Sequence, residues 1–277
     1  MSREISLYQV DAFADAPFMG NPACVMPFAG SFPADQTLQN IAAENNVSET
    51  AFIVASGEAR WQLRWFTPAV EVPLCGHATL AAAHVLFTEL GFAGEQVTFQ
   101  TRQSGDLYVT REAGAYLMDF PAPEVFETRA SDAIAAALGA RPIRSWGGPF
   151  FAAQFESVQV LEGLAPDFRA LSSLGVEGLG GAWERGNFGC FALGGPGADV
   201  TSRFFAPGSG IDEDPATGSW HCMLAVIAKA LRGVGDARCR QAFPGRGAEI
   251  GVRVAGDRVL LSGQAVTVIR GAFTLPG

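Results

Sequence analysis

Short runs in which β-branched and aromatic residues dominate, broken by glycine and proline, set the texture of this chain. Such runs read as strands. They fall at Ser6–Phe13, Ala51–Ala55, Trp61–Phe66, Val97–Thr101, Leu107–Arg111, Tyr116–Phe120, Val158–Leu161 and Arg258–Ser262. Helical spacing is rarer. Leu38, Ile41 and Ala42 mark a helix over Ala34–Asn45, and Ser131–Leu138 is a shorter amphipathic one. His77–Leu90 and Ser219–Arg232 are apolar on nearly every face, the pattern of helices buried inside a protein. Many strands with a few helices, two of them central, predict an α+β chain in which sheets wrap buried helices.

One internal likeness organises the rest. Arg64-Trp65-Phe66-Thr67-Pro68 resembles Arg203-Phe204-Phe205-Ala206-Pro207, 139 positions later and close to half of the 277 residues. Each copy is a strand ending at proline, followed by an acidic loop, a small-residue turn and an apolar helix. The first turn is Leu74-Cys75-Gly76-His77-Ala78-Thr79 and the second is Glu213-Asp214-Pro215-Ala216-Thr217-Gly218-Ser219. This predicts a pseudo-twofold duplication of one strand-loop-helix domain. The boundary is expected at Ala113-Gly114, with domains over 1–114 and 115–263. For a last strand within 264–277, a return to the first domain is left open.

Composition narrows the function classes. Hydrophobic residues make up 48% and charged residues 17%, enough apolar material for packed cores. The net charge of −9 repels phosphate backbones, so nucleic acid is not an expected partner. The N-terminal residues lack a signal-peptide core, and the longest strongly apolar stretch, Cys222–Ala228, is far short of a membrane span. A cytoplasmic protein with no membrane association is the expectation. The five cysteines form no CxxC pair and read as reduced thiols.

Candidate chemistry gathers at the two turns. Free backbone N–H groups at a helix start, aided by the helix dipole, make an anion site. Two such starts facing one cleft would suit a carboxylate-bearing substrate. Taken singly, Gly76 and Gly218 only permit tight turns. Glu49 sits where a helix gives way to the strand Ala51–Ala55, a place from which a carboxylate can reach a cleft. Proton abstraction beside an activated carbon needs such a base. By itself Glu49 is equally a solvated turn residue. Cys75 reads first as a small buried residue. Cys75, His77 and His221 match no familiar ligand spacing, so no metal is expected.

Four segments, in order, resemble the phenazine-biosynthesis (PhzF-like) isomerase family. They are Asp11-Ala12-Phe13 leading to Phe18-Met19-Gly20-Asn21-Pro22; Asn46-Val47-Ser48-Glu49-Thr50; Phe66-Thr67-Pro68 leading to Cys75-Gly76-His77-Ala78-Thr79; and Glu213 to Ser219. The resemblance implies two diaminopimelate-epimerase-like domains, each a barrel-like, mostly antiparallel sheet around a central apolar helix. It implies an active site in the interdomain cleft, no cofactor, a small cyclic or amino-acid-like carboxylate as substrate, and in many relatives a homodimer. The family's acid/base glutamate falls on Glu49, its histidine on His77, its aspartate on Asp214 and its serine on Ser219. Asn21, Gly76, Ala78, Thr217 and Gly218 then lie at the substrate. Trp220 stands where many relatives have a small residue, so it either narrows the pocket or packs elsewhere.

Two rivals remain at this level. One is a thiol-dependent racemase or epimerase using Cys75. The place of a second thiol, 139 positions on, holds Asp214, and Cys222 lies inside the helix, so a symmetric two-thiol pair is disfavoured. The other is a small-molecule-binding homologue that has lost the reaction; the intact set of Glu49, His77, Asp214 and Ser219 argues against it.

Overall fold

The computed structural model describes residues 3–174 and 185–275. It divides into two compact units, one running to Asp119 and joined by the segment from Ser262 onward, the other spanning Phe120–Leu261. The architecture is a sheet-dominated mixture of strands and few helices. Among the described residues no helix is long and apolar enough to cross a membrane.

In chain order the first unit contains β1 (Arg3–Ala12), β2 (Asn21–Phe28), α1 (Asp35–Asn45), β3 (Glu49–Gly57), β4 (Arg60–Phe66), the two-residue β5 (Glu71–Val72), α2 (Gly76–His84), β6 (Gln96–Gln100), β7 (Asp106–Glu112) and β8 (Ala115–Pro121), which leads into the second unit. β1 pairs antiparallel with β2, β2 parallel with β3, β3 antiparallel with β4, β4 parallel with β6, and β6 antiparallel with β7. Every residue of α2 from His77 to His84 is buried, and four of them are alanine (Ala78, Ala81, Ala82, Ala83), which lets strands approach the helix closely. A π-helical turn over Val85–Glu89 extends it. Met26, Phe28, Leu38, Ile41, Phe52 and Phe66 form a core between α1 and the strands. Fully burying a side chain of this size stabilises by about 1.5–3 kcal/mol.

The second unit contains β9 (Phe126–Thr128), α3 (Asp132–Leu138), β10 (Arg144–Gly147), β11 (Phe151–Gln154), α4 (Val158–Glu162), α5 (Phe168–Ser173), β12 (Phe188–Leu193), β13 (Val200–Phe205), β14 (Glu213–Asp214), α6 (Gly218–Arg232), β15 (Asp236–Gln241), β16 (Ala248–Ala255) and β17 (Arg258–Gly263). Here β10 pairs antiparallel with β11, β11 parallel with β12, β12 antiparallel with β13, β13 parallel with β15, and β15 antiparallel with β16. The last strand, β18 (Ala265–Leu275), lies antiparallel to β1 from Arg3↔Leu275 to Ala12↔Ala265.

Two sequence expectations are corrected. Val158–Leu161 is helical, not extended: the Ser157 hydroxyl accepts the Val160 N–H, and that N-cap outweighs the β preference of two valines. Ala113-Gly114 is the tip of a hairpin, because Glu112 pairs with Ala115 and both turn residues have positive φ, as a two-residue primed turn demands. The compact unit therefore runs on to Asp119.

Two buried histidines make stability pH-dependent. His84 bonds Tyr116 Oη at 2.9 Å and Thr267 Oγ1 at 3.0 Å, and burial pushes its pKa down to about 4. His221, fully buried, bonds the Thr217 carbonyl at 2.8 Å and is likewise pushed down to about 4 by burial. Between pH 6.5 and 4 the unfolded chain takes up protons that the folded chain refuses. Stability should fall as pH drops through that window and level off below it, by at most about 3 kcal/mol for each histidine. Urea midpoints from pH 7 to 4 test this: His84→Gln should flatten the upper part of the curve, and a wild-type midpoint unchanged between pH 6.5 and 5 would refute it.

Candidate active site

The start of β3 brings the first site together. β3 lies parallel to β2 with Glu49 opposite Ala23, two residues beyond Asn21. The approach to Asn21 is tightly built. Asp11, itself buried, accepts the Phe18 N–H at 2.8 Å, and Phe18 takes a left-handed φ of 70°. Gly20 follows at φ 63°, where an added Cβ would sit 2.1 Å from the Ala12 carbonyl oxygen. Only glycine fits there. Asn21 then accepts from the Ser48 hydroxyl at 3.1 Å, and its amide nitrogen lies 3.3 Å from His77 Nδ1.

His77 is the second residue of α2. Its Nε2 lies 3.0 Å from Glu49 Oε2, and neither atom has another partner among the described residues. The two meet at ion-pair distance rather than along a well-directed hydrogen bond. On the other edge of the ring, Nδ1 is 3.5 Å from Cys75 Sγ. Cys75 is the N-cap of α2, with no side-chain cap bond, and Thr79 Oγ1 donates to its carbonyl at 2.6 Å. Burial alone would hold His77 in its neutral form, but the negative charge available at Cys75 and Glu49 outweighs it and raises its pKa well above the ordinary histidine value. Burial first, and then the Glu49 carboxylate, push the Cys75 thiol up. Glu49 retains 18% side-chain exposure against 7% for His77, although its paired oxygen Oε2 is itself buried.

The second turn is organised within the other unit. β14 pairs with the end of β13, setting Asp214 opposite Phe204 and Glu213 opposite Phe205. The Thr217 hydroxyl donates to Asp214 Oδ2. Gln241, on β15 and fully buried, spans the turn: its Nε2 donates to the Asp214 carbonyl at 2.6 Å, and its Oε1 accepts the Thr217 N–H at 2.9 Å. Nothing in the sequence around Gln241 announced this role, which depends on the parallel register of β13 with β15. Gly218 begins α6, and Ser219 is exposed in its first turn.

Other sequence candidates fall as follows. Gly76 opens α2. Ala78 presents its side chain to the core. Trp220 packs inward: its ring contacts Phe191 and Phe204 and lies where a Cβ on Gly189 would be 2.4 Å away. Glycine at 189 is what leaves room for the indole. His84 is a hydrogen-bonded core residue.

The chain matches the phenazine biosynthesis-like (PhzC-PhzF) family over residues 10–271. It belongs to that family. An uncharacterized isomerase of Pseudomonas aeruginosa is 42% identical over 98% of this chain and 99% of its own. The crystal structure of a phenazine biosynthesis PhzF-family protein from Enterococcus faecalis superposes with a TM-score of 0.91 at 35% identity, covering 99% of this chain and 100% of that one. A hydroxyproline epimerase from Agrobacterium vitis shares the fold at 12% identity, with a TM-score of 0.55 over 99% of this chain and 93% of its own. This phenazine biosynthesis-like protein is, like its named relatives, an isomerase.

Proposed function

We propose that this isomerase moves a proton on a small cyclic or amino-acid-like carboxylate without a cofactor, and that Glu49 carries the proton. The observation behind the reading is the Glu49–His77 pair, 3.0 Å apart, in which the glutamate side chain is the more exposed member. A base must reach the proton it removes and a neighbour must set its charge state; Glu49 has the reach, and His77 supplies the neighbouring cation. The same carboxylate, once protonated, would return the proton to a different carbon. The first N–H groups of α2, which no side chain caps, suit the substrate carboxylate. In the second unit, Asp214, Thr217, Gly218 and Ser219 enter the proposal as binding groups, with Gln241 as the brace of their turn.

The reading treats the chain as a duplication. It is supported by the same succession of parallel and antiparallel pairings in each unit. It is also supported by a shared arginine brace. Arg64 forms a bidentate pair with Glu71 and lies over Phe66; Arg203 forms one with Glu213 and lies over Phe205. The direct test is proton exchange: small cyclic and amino-acid carboxylates incubated with enzyme in D2O should gain deuterium at carbon. Absence of exchange into every carboxylate that binds would remove the proposal.

The approach of Cys75 Sγ to His77 keeps one rival, a thiol base, in view. Its buried position and raised pKa oppose it, since the thiolate is the reactive form. Cys75→Ser is expected to keep most of the exchange activity, within about tenfold, and wild-type enzyme should resist iodoacetamide; general-acid/base residues cost far more, about 10²–10⁴-fold. Inactivation traced to alkylated Cys75, or complete loss in Cys75→Ser, would favour the thiol.

A further inference from the structure

Glu49, Cys75 and His77 place a carboxylate oxygen, a sulfur and a ring nitrogen all within 4.8 Å of one another. They come from the start of β3 and the N-terminus of α2, so no spacing in the sequence links them. The three types differ in softness, and a mixed S, N, O set suits Zn2+ rather than Mg2+ or Ca2+, which prefer all-oxygen shells. A tetrahedral zinc ion with bonds of about 2.0–2.3 Å holds its donors about 3.3–3.8 Å apart. The existing approaches, 3.0 Å from Glu49 to His77 Nε2 and 3.5 Å from Cys75 to His77 Nδ1, use different ring nitrogens, so the ring must turn for one nitrogen to join both other donors at that spacing. Glu49 Oε2 and His77 Nε2 have no hydrogen-bond partner besides each other among the described residues, and the His77 side chain is 7% exposed.

We infer that Glu49, Cys75 and His77 form a reversible Zn2+ site whose occupation switches the enzyme off. Binding replaces the thiol proton of Cys75, and any proton on the coordinating ring nitrogen of His77, by the metal; these protons pass to solvent. Three protein ligands leave a fourth position for water. The metal's binding stands on the donor set alone. Only its consequence, loss of turnover through capture of the Glu49 carboxylate, rests on the function proposed above.

Full-length protein stripped with EDTA and titrated with Co2+ as a spectroscopic substitute for zinc provides the test. Wild type should bind one equivalent, with a sulfur-to-cobalt charge-transfer band in the near ultraviolet and intense four-coordinate bands in the visible. Zn2+ should bleach both. Cys75→Ala should lose the charge-transfer band, Cys239→Ala should keep it, and Cys75→Ala and His77→Asn should each weaken Zn2+ binding in calorimetry by at least about tenfold, since even outer-shell changes cost 10–100-fold. Circular dichroism shows whether each variant is folded, and the wild-type spectrum is decisive without any variant. No charge-transfer band in wild type, a band that survives in folded Cys75→Ala, or unchanged Zn2+ affinity in folded His77→Asn overturns the inference. Metal binding is read without substrate, so its failure leaves the proton-transfer proposal standing. Loss of that proposal would show instead as metal-free enzyme that exchanges no deuterium.

Discussion

Glu49→Gln is expected to lower turnover by about 10²–10⁴-fold, the range general acid–base groups contribute, while a substrate-like carboxylate still binds. The amide keeps the shape of the side chain and can still face His77 Nε2, which now lies 3.0 Å from the carboxylate. What it loses is the capacity to take and return a proton. The measurement is deuterium exchange and turnover set beside ligand affinity: kcat should collapse and Kd should stay within a few-fold. Full activity in this variant would end the mechanism. The pH profile adds a second reading. His77 is held above its ordinary value by charge at Cys75 and Glu49 against the effect of burial, so the imidazolium persists above pH 6.5. Activity that needs it should decline as pH rises through that higher value, and His77→Asn should erase this limb. The apparent constants belong to the coupled group rather than to one residue.

Arg203→Ala should destabilise the second unit by about 3–5 kcal/mol, the cost of stripping one partner from a buried ion pair. Arg203 is 7% exposed. Its Nε and Nη2 donate to Glu213 at 2.8 Å each, while Nη1 serves the carbonyls of Leu161, Glu162 and Leu164, the last at 2.8 Å. Alanine would leave the Glu213 carboxylate and three carbonyls without their donor. Arg203→Lys should recover only part of the loss, because one ammonium cannot match both edges of the planar fork. Urea unfolding gives the answer, and a loss under about 1 kcal/mol would show the brace to be dispensable. Since β13 sets the register of β14, folded Arg203→Lys should also weaken ligand binding through the Asp214 turn.

Most of this architecture could be read along the chain, and the exceptions have physical causes. Strands β3, β4, β6, β7, β8 and β17 lie within a few residues of their apolar runs, as do α1, α3 and α6, because period and propensity agree there. β2 was hidden by Pro22 and Pro27, which remove ladder donors and usually mark an edge. It is nonetheless paired on both sides, and Pro27 lies beyond the last residue matched to β1. α4 was misread because a serine cap outweighed its valines. At the site, Glu49 and His77 could be named through family resemblance, yet their direct pairing joins the start of β3 to the first turn of α2 and has no local signal. Gln241 carries no local signal, because its partners lie 24 and 27 positions away.

β18 pairs along the whole length of β1, so the unit that bears Glu49 is built from chain on both sides of the second unit. On the ribosome this reverses the usual schedule in which N-terminal domains mature first. A nascent chain extended to Leu261 already holds the span of the second unit, whereas β1 must wait, with one flank unpaired, for Ala265–Leu275 to emerge. Exposed strand edges invite wrong partners, and this waiting interval is where a translating cell would most need a chaperone for this enzyme.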